Sequence, residues 1–385
     1  MTAEPNSARY QHVYLHVPFC GRRCSYCDFA IAVRKVVPVT EFIDAIMAEL
    51  VTRRIALDGA SLKTLYLGGG TPSKLGGTGI ATLLQRIAHH ADVDELSTSA
   101  SNPEITIEVN PEDVTAEAVA GWAAAGVNRV SMGVQSFDPE VLRWMHREHS
   151  PEDAEAAVRL LNEGGIRDLS VDLIFALPES LARDWDRDLA RALELGPNHL
   201  SIYGLTIEPR SPLGRWTARG EVLEAPEERY EREFLHAHDR LAAAGFEHYE
   251  VSNYGRPGHR AVHNSAYWQG VPYLGLGPAA HGFDGNVRRW NRRAYRDWLS
   301  AVSAGTDPLE GDEERGASER LAEDVYLGLR TTDGLQLHQN EWKTVTLWLE
   351  AGWGKRVGDR LVLTPTGWLR LDSLAVALTS HRSHC

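Results

Sequence analysis

The feature that most constrains this chain's fold is a regular alternation of short apolar runs with helix-like segments over its first two-thirds. The apolar runs are rich in β-branched residues and predict six strands, at 13–17, 64–69, 104–110, 129–135, 169–176 and 199–207. The segments that alternate with them predict helices at roughly 40–57, 78–90, 115–125, 138–163, 181–195 and 226–244. Near-continuous apolar strands indicate a parallel sheet buried on both faces. We therefore predict an α/β fold, built as a partial (β/α)6 barrel of the TIM type.

The composition changes after about residue 245. Residues 246–290 are rich in glycine, proline and aromatic residues, and long stretches of this kind often line functional sites. Helix-like patterns return from 291, and near the end two short apolar runs flank the turn Gly358-Asp359 before a last helix. We predict a core at 1–245, a connecting segment at 246–290 and a small C-terminal α/β domain of winged-helix type at 291–385.

The charge balance disfavours nucleic acid as the main partner. The chain has 53 acidic and 40 basic residues, a formal net charge of −13, and its winged-helix-like segment shows no basic recognition helix. The polar first residues lack the apolar centre of a secretory signal, and no apolar run approaches the length of a membrane span. We expect a cytoplasmic protein with no integral membrane segment.

Three of the four cysteines lie in one short stretch, CGRRCSYC, directly after the first predicted strand. Cys20, Cys24 and Cys27 are spaced C-x3-C-x2-C, whereas Cys385 is the last residue. An odd number of thiols explains disulfides poorly, and structural zinc usually takes four ligands. His16 is a possible fourth ligand, although it belongs to the strand. Three thiolates in one loop suit a [4Fe–4S] cluster with one iron left open, and the alternative is three unrelated buried thiols.

The residues around these cysteines predict how the thiols are surrounded. Arg22 and Arg23 are expected to favour thiolates and to offset the negative charge of a cluster. Phe19, Tyr26 and Phe29 are expected to shield it from water.

Polar residues gather where successive predicted strands end. Active sites of parallel barrels lie at the C-terminal ends of strands, so these side chains are expected to share one site with the cysteine loop. Each one alone has a plainer interpretation as a helix cap, a turn or a surface residue. Asp172 is harder to explain in that way, because a strand buried on both faces rarely contains an unpaired carboxylate. The set comprises Gly68, Gly69 and Gly70, Glu108 with Asn110, Gln135 with Ser136, Arg147, and Asp172.

These motifs together resemble those of a known family. The chain is similar to radical S-adenosylmethionine (SAM) proteins, more narrowly to the oxygen-independent coproporphyrinogen III oxidase group, and within it to the HemW-like heme chaperones. The resemblance covers nearly the whole chain. The matching stretches are YLHVPFCGRRCSYCDF, YLGGGTPS, EVNPE, RVSMGVQSFDPEVLRWMHREHS, VDLIFALPES, LSIYGLTIEPRSPL, YEVSNY, HNSAYW and LGLGPAAHG.

The resemblance implies cofactors and a role for each site residue. Cys20, Cys24 and Cys27 would hold three irons of a [4Fe–4S] cluster, and the fourth iron would bind SAM. A donor such as flavodoxin or ferredoxin would supply the electron that cleaves SAM to a 5′-deoxyadenosyl radical. The residues that the resemblance places around SAM are Tyr14, Tyr26, Gly69, Gly70, Thr71, Glu108, Gln135, Arg147, Asp172 and Thr206.

Two places in the chain separate a heme chaperone from an oxidase. The oxidases carry a further cysteine two residues after the third cluster cysteine, where this chain has Phe29, and the segment before the first strand is short. The stretch HNSAYW matches the HNxxYW pattern of the heme chaperones, whose histidine has been considered a heme contact. His263, Tyr267 and Trp268 are therefore candidate heme residues, with His281 of PAAHG as a second candidate ligand. A plainer interpretation of His263 is a hydrogen-bonded core residue.

The sequence therefore predicts a protein that binds heme and transfers it to an acceptor protein. The alternatives are a coproporphyrinogen III oxidase or another porphyrin-modifying radical SAM enzyme, and a zinc-bound structural or regulatory protein. Whether SAM is cleaved stays open, because the SAM-binding set is complete in the sequence.

Overall fold

The computed structural model describes residues 10–55, 57–96 and 102–383, so Cys385 lies outside the described residues. The strands are β1 (His12–Val17), β2 (Phe19–Cys20), β3 (Ala32–Val33), β4 (Thr64–Gly69), β5 (Glu104–Val109), β6 (Arg129–Gln135), β7 (Asp168–Phe175), β8 (His199–Gly204), β9 (Glu247–Glu250), β10 (Asn253–Gly255), β11 (Leu274–Leu276), β12 (His281–Phe283), β13 (Val287–Asn291), β14 (Leu309–Glu314), β15 (Leu335–Gln336), β16 (Gly354–Val357) and β17 (Arg360–Leu363). The helices are α1 (Val39–Thr52), α2 (Gly76–His90), α3 (Ala116–Ala124), α4 (Pro139–Trp144), α5 (Pro151–Glu163), α6 (Trp185–Glu194), α7 (Pro212–Ala218), α8 (Glu227–Ala243), α9 (Val262–Trp268), α10 (Tyr295–Ser303), α11 (Ala317–Arg330), α12 (Thr346–Glu350), α13 (Pro365–Trp368) and α14 (Leu371–Ser383).

The predicted strand–helix alternation is confirmed. The six predicted strands are β1, β4, β5, β6, β7 and β8, and a helix follows each of them along the chain. The side chains of a strand point alternately to its two faces. On β1, Val13, Leu15 and Val17 are fully buried on one face, which leaves Tyr14 and His16 on the other. The same alternation on the neighbouring strands carries polar side chains to one face of the sheet.

The chain divides into two compact units, each made of three separate stretches. The first contains the chain up to Asp172, Thr206–Val222 and Pro272–Glu313. Its strands run in the order β11-β1-β4-β5-β6, all in parallel pairs, and β7 begins beside β6. Strands β12, β13 and β14 form a separate small sheet.

The second unit contains Leu173–Leu205, Leu223–Val271 and the chain from Glu314 onward. It includes the end of β7, followed by β8 and then by β10 and β9, which pair antiparallel. A three-stranded antiparallel sheet in the order β15-β17-β16 lies near the end of the chain, where α11 packs against α14. The predicted hairpin is thus present as β16 and β17.

The units do not follow the consecutive boundaries 1–245, 246–290 and 291–385 that the composition suggests. The glycine-rich segment 246–290 is more than a connection, because it contributes β9 and β10 to the second unit and β11 to the first. Strand β11 pairs with β1 in parallel, with Leu274 opposite Val13.

One predicted helix is two helices. Residues 138–163 form α4 and α5, separated by a loop at 145–150. Proline disfavours helical backbone at the residue before it, here Ser150 before Pro151. Ser150 also forms a capping box with Asp153, which starts α5 anew. The loop between the helices contains Arg147, a predicted site residue.

Among the residues that the structure describes, no helix is both long enough and apolar enough to cross a membrane.

Candidate functional site

The cysteine loop is tied down by backbone hydrogen bonds at its ends and at its middle. Strand β2 pairs with β3 in parallel, so that Cys20 lies opposite Val33 and the ends of the loop meet. At the middle, the Ser25 amide donates to the Met145 carbonyl at 3.1 Å, and the Ser25 carbonyl accepts from the Leu213 amide at 2.8 Å. The loop is therefore positioned by its own main chain, and its three thiols are half-buried.

Two side chains donate to the sulfur atoms of this loop. Thr71 Oγ1 lies 3.4 Å from Cys20 Sγ, and Arg147 Nη1 lies 3.8 Å from Cys24 Sγ. Burial raises the pKa of Cys20 to about 11, although the Thr71 hydrogen bond opposes the shift, and burial also raises the pKa of Cys27. These thiols give up their protons only to a strong positive charge, which bound iron supplies.

The expected roles of Arg22 and Phe29 are wrong, whereas the charge of Arg23 acts as expected on one thiol, because it lowers the pKa of Cys27 against the effect of burial. Both arginines are exposed, and Arg22 lies 3.9 Å from Glu148, whereas the cation next to a cysteine sulfur is the deeper Arg147. Phe29 is 63% exposed, so its ring does not cover the loop. Phe19 is fully buried, and its ring packs behind the loop in the core of the unit.

The donor set fits a cluster better than a single ion. Within the described ranges, no three His, Cys, Asp or Glu side chains converge as the ligands of one metal ion. A [4Fe–4S] cluster makes a different demand, because each thiolate binds its own iron atom. Three half-buried thiols on one fixed loop meet that demand.

A row of polar side chains crosses the face of the sheet next to the loop. The rings of Tyr14 and Tyr66 stack with their centroids 6.1 Å apart, and Tyr66 Oη donates to Glu108 Oε1 at 2.8 Å. The amide of Gly69 donates to Glu108 Oε2 at 2.9 Å. Burial raises the pKa of Glu108 to about 7, and the charge of Asp172 adds to the shift. Glu108 therefore changes its charge close to neutral pH.

Asp172 continues the row on β7 and is not unpaired. Ser131 Oγ lies 3.1 and 3.0 Å from its two carboxylate oxygens, and Ser170 Oγ lies 3.2 Å from Oδ1. Ser131 is opposite Glu108 in the register of β5 and β6. Three adjacent strands thus bring Glu108, Ser131 and Asp172 together on one face of the sheet, although Ser131 and Asp172 lie within their strands and not at the predicted C-terminal ends.

Arg147 reaches the same site from the loop between α4 and α5. Its Nη2 donates to Asn110 Oδ1 at 2.8 Å and to the Gly133 carbonyl at 2.5 Å. Gln135, at the end of β6, has a φ of +69°, a left-handed conformation that non-glycine residues rarely adopt. Such conformations cluster at functional sites, because the surrounding fold must hold them in place.

The glycine run is required by contacts within the protein. Gly69 has a φ of +109°, and a Cβ at this position would lie 2.4 Å from the His16 imidazole. A Cβ on Gly70 would lie 2.7 Å from the carbonyl of Pro18. The sequence predicts glycine here for the close approach of a ligand, whereas the structure shows the close approach of β1 and the cysteine loop.

His16 holds the loop and is not available as a fourth metal ligand. Its Nε2 is 2.9 Å from the carbonyl of Ala30, and its Nδ1 is 3.1 Å from Tyr14 Oη. Nε2 must donate to the carbonyl, so Nδ1 accepts from the tyrosine. Burial lowers the pKa of His16 to about 4, which keeps the ring neutral at physiological pH.

The predicted SAM residues belong to the first unit and, apart from Thr206, lie beside the cysteine loop or the polar row. Most are surrounded by protein yet keep some solvent exposure. Thr206 is exposed, two residues beyond the end of β8. The half-buried members of the set are Tyr14, Tyr26, Gly70, Glu108, Gln135, Arg147 and Asp172, whereas Gly69 and Thr71 are buried.

The candidate heme residues occupy two different places. His263, Tyr267 and Trp268 lie on α9 in the second unit. His263 is 1% exposed, and its Nε2 is 2.8 Å from Tyr267 Oη, while the guanidinium of Arg330 covers the Trp268 ring at 4.1 Å. His281 lies on β12 in the first unit and is exposed.

Comparison with known proteins supports the assignment of a family. The sequence profile described as "Radical SAM superfamily" matches residues 14–192. The heme chaperone HemW of Mycobacterium tuberculosis is 38% identical over 95% of this chain and 94% of its own length. The chain belongs to the HemW group of the radical SAM superfamily. The HemW of Synechocystis is also 38% identical, over 84% of this chain and 78% of that protein.

The fold of a solved relative agrees. The radical SAM enzyme coproporphyrinogen III oxidase (HemN) of Escherichia coli superposes with a TM-score of 0.80 over 97% of this chain and 91% of that protein. At 22% identity, this match shows a shared fold. Membership of the radical SAM superfamily implies a [4Fe–4S] cluster and SAM as cofactors.

Proposed function

We propose that this chain is a heme chaperone, which binds heme and transfers it to an acceptor protein. The observation that carries the proposal is the 38% identity with the HemW of Mycobacterium tuberculosis, which extends over 95% of this chain. A single shared domain would give a match over a smaller part of the chain. The polar site beside the cysteine loop supports the retention of a radical SAM centre.

In this proposal Cys20, Cys24 and Cys27 hold three irons of a [4Fe–4S] cluster, with the fourth iron open to SAM. The bound cluster and SAM would supply one-electron reductive cleavage. Burial opposes the thiolates, and the chain offsets part of that effect, because Thr71 and Arg147 donate to the sulfurs of Cys20 and Cys24. The stiff backbone of the loop fixes the spacing of the three ligands.

The row of polar side chains next to the cysteine loop would bind the rest of SAM. The Glu108 and Asp172 carboxylates are acceptors for the hydroxyl and ammonium groups of a zwitterionic, ribose-bearing ligand. The Tyr14 and Tyr26 rings offer flat apolar faces beside them. The full proposed set is Tyr14, Tyr26, Gly69, Gly70, Thr71, Glu108, Gln135, Arg147, Asp172 and Thr206.

The proposal includes three partners and a location. Heme is the cargo, and an acceptor protein receives it. A flavodoxin or ferredoxin would reduce the cluster. We place the protein in the cytoplasm, where reducing conditions preserve free thiols.

The decisive experiment is anaerobic reconstitution followed by iron, sulfide and heme quantitation. The wild-type protein is expected to bind about four irons and one heme, since a [4Fe–4S] site holds four irons. Cys24→Ala should lose the cluster, because it removes one of three protein ligands, whereas the control Cys385→Ala should retain it. Full iron content in Cys24→Ala would refute the cluster site, and a wild-type protein without heme would refute the chaperone.

The same preparation tests the alternative, an oxidase. With SAM and a reductant, the chain should not convert coproporphyrinogen III to protoporphyrinogen IX. The apolar ring of Phe29 stands where the oxidases carry a further thiol, and it cannot replace thiol chemistry. Product in amounts stoichiometric with consumed SAM would establish an oxidase.

A further inference from the structure

The small sheet of the first unit has a face on which aromatic and cationic side chains meet. Strands β12 and β13 pair antiparallel, with His281 opposite Trp290 and Phe283 opposite Arg288. Paired residues and residues two apart share a face of a sheet, so these four side chains lie on the same side. We call this surface the hairpin face.

His281 is the accessible imidazole of this face. It is exposed, and its ring lies nearly parallel to the Trp290 indole, with centroids 5.8 Å apart and an interplanar angle of 25°. The indole is held in place from its other side, because it lies against Gly311, where a Cβ would approach it to 2.5 Å. The imidazole thus stands beside a fixed aromatic plane.

Two arginines place positive charge near His281, Arg288 on the face itself and Arg293 just after the end of β13. The guanidinium of Arg288 lies 5.9 Å from the centre of the Phe283 ring, and the Arg293 side chain is 47% exposed. Partial burial first, and then the charges of Arg288 and Arg293, lower the pKa of His281. A lowered pKa keeps the imidazole unprotonated near neutral pH, which is the form that binds iron.

This combination matches the chemistry of heme, which is a flat apolar ring with two carboxylates and an iron that accepts imidazole. Resting on the proposed heme-binding function, we propose that the hairpin face is the heme site, with His281 as an iron ligand and Arg288 and Arg293 paired with the propionates. An imidazole bound to iron stands upright on the macrocycle. The parallel indole of Trp290 would therefore meet the macrocycle edge to face, an arrangement that aromatic rings favour.

The competing site on α9 offers less to a heme. His263 is almost fully buried, and its Nε2 contacts Tyr267 Oη, so a ligand would have to break that hydrogen bond and open the helix packing. The Trp268 ring already has a guanidinium on one face. His281 meets neither obstacle.

The hairpin face also adjoins the cysteine loop. The side chain of Arg293 donates to the carbonyl of Asp28, the residue after Cys27, and lies 3.7 Å from its carboxylate. A heme held by His281 and Arg293 would therefore sit beside the proposed cluster, and its carboxylates would compete with Asp28 for Arg293.

The first test is a hemin titration of the cluster-containing protein, followed by its Soret band. We expect His281→Ala to shift the Soret band and to weaken heme binding about tenfold or more, as the loss of one axial ligand implies. Added imidazole should restore both the band position and the affinity for heme, and hemin with imidazole but without protein is the blank, because imidazole also ligates free hemin. His263→Ala should retain the wild-type band. A wild-type band in His281→Ala, or its loss in His263→Ala alone, would overturn the assignment.

The second test concerns the propionates. Arg288→Gln should weaken hemin binding several-fold but leave the binding of hemin dimethyl ester unchanged, because the ester has no carboxylates. Arg289→Gln is the matched control, since Arg289 lies on the opposite face and pairs with Asp307. Equal loss for both porphyrins, or an equal loss in the control, would refute the pairing.

The two proposals fail in different ways. If the wild-type protein binds no heme, the proposed function and the heme site both fall. If the wild-type protein binds heme and the His281 and Arg288 variants match it for both porphyrins, only the hairpin face is excluded.

Discussion

Glu108 connects the chemistry of the site to a measurable property of the folded protein. Its carboxylate receives hydrogen bonds from Tyr66 and Gly69, and both favour the charged form. Burial outweighs them and raises the pKa of Glu108 to about 7. The folded protein therefore holds a proton on this group more tightly than the unfolded chain, in which a glutamate has its ordinary pKa.

This shift predicts how stability depends on pH. The contribution of protonated Glu108 is complete below its ordinary pKa of 4.5 and is lost as the pH rises through about 7. Glu108→Gln should therefore gain stability relative to the wild type between pH 5 and pH 8, by up to about 3 kcal/mol. Urea unfolding at both pH values measures the change.

Glu112 provides the control for that comparison. Burial alone would raise its pKa, but the contact with His149 Nδ1, 3.5 Å away, and the charge of Arg147 outweigh burial and lower it. Glu112→Gln should show no such gain between pH 5 and pH 8. A flat difference between Glu108→Gln and the wild type would mean that Glu108 is charged throughout the range.

At single positions, the sequence predicts the candidate site residues better than the residues that support them. Cys20, Glu108 and Asp172 stand out because thiols and carboxylates are unusual beside apolar strands. Tyr66 and Ser131, which donate to the two carboxylates, look like ordinary strand residues. Their partners lie on other strands, and only the register of the sheet brings them together.

Among the elements, the break between α4 and α5 matters most for the site. In a continuous helix over 138–163, Arg147 would be a helical residue and would not lie in a loop. The break instead leaves it in a loop, where it reaches Asn110 and Gly133. The sequence contains the signal, because Ser150 precedes a proline and is followed three residues later by Asp153. The helical periodicity on both sides of this point hides it.

The capping box at this break is therefore expected to stabilise the fold. Ser150 Oγ accepts from the Asp153 amide at 3.2 Å, and the Asp153 carboxylate accepts from the Ser150 amide at 2.7 Å. Ser150→Ala should cost about 1 kcal/mol, as for other helix caps. Ser300→Ala, at an exposed position within α10, is the control and should stay within about 0.5 kcal/mol of the wild type. Equal stability of the two variants would show that the break does not depend on this cap.

Across the whole molecule, sequence order is a poor guide to compact units. The alternation of apolar runs with helix-like segments predicts the parallel strands, because each strand and each helix has its own pattern within a short stretch of sequence. It does not predict that residues 272–313 return to the first unit and add β11 beside β1. That return depends on contacts between residues more than 200 positions apart, for which the local pattern gives no sign.

Glu49 of α1 makes several of the polar contacts that hold residues 272–313 to the first stretch of the unit. Its Oε2 accepts from the Gly277 amide and from Trp298 Nε1, each at 2.9 Å, and its Oε1 accepts from Asn291 Nδ2 at 2.7 Å. Arg53 Nη1 also donates to Oε1 at 2.7 Å, and both ionic side chains are almost completely buried. One carboxylate thus joins the first and last stretches of the unit.

Removal of this carboxylate should therefore destabilise the first unit more than an ordinary surface change would. Glu49→Ala leaves the buried Arg53 cation and three N–H donors without their acceptor, and one-sided loss of a buried ion pair typically costs about 3–5 kcal/mol. Glu163→Ala, at an exposed glutamate at the end of α5, is the control and should change stability by less than about 0.5 kcal/mol. Urea unfolding followed by tryptophan fluorescence measures both variants. If Glu49→Ala unfolded at the same urea concentration as Glu163→Ala, the carboxylate would not join these stretches, and apolar packing of β11 and α10 alone would have to hold them.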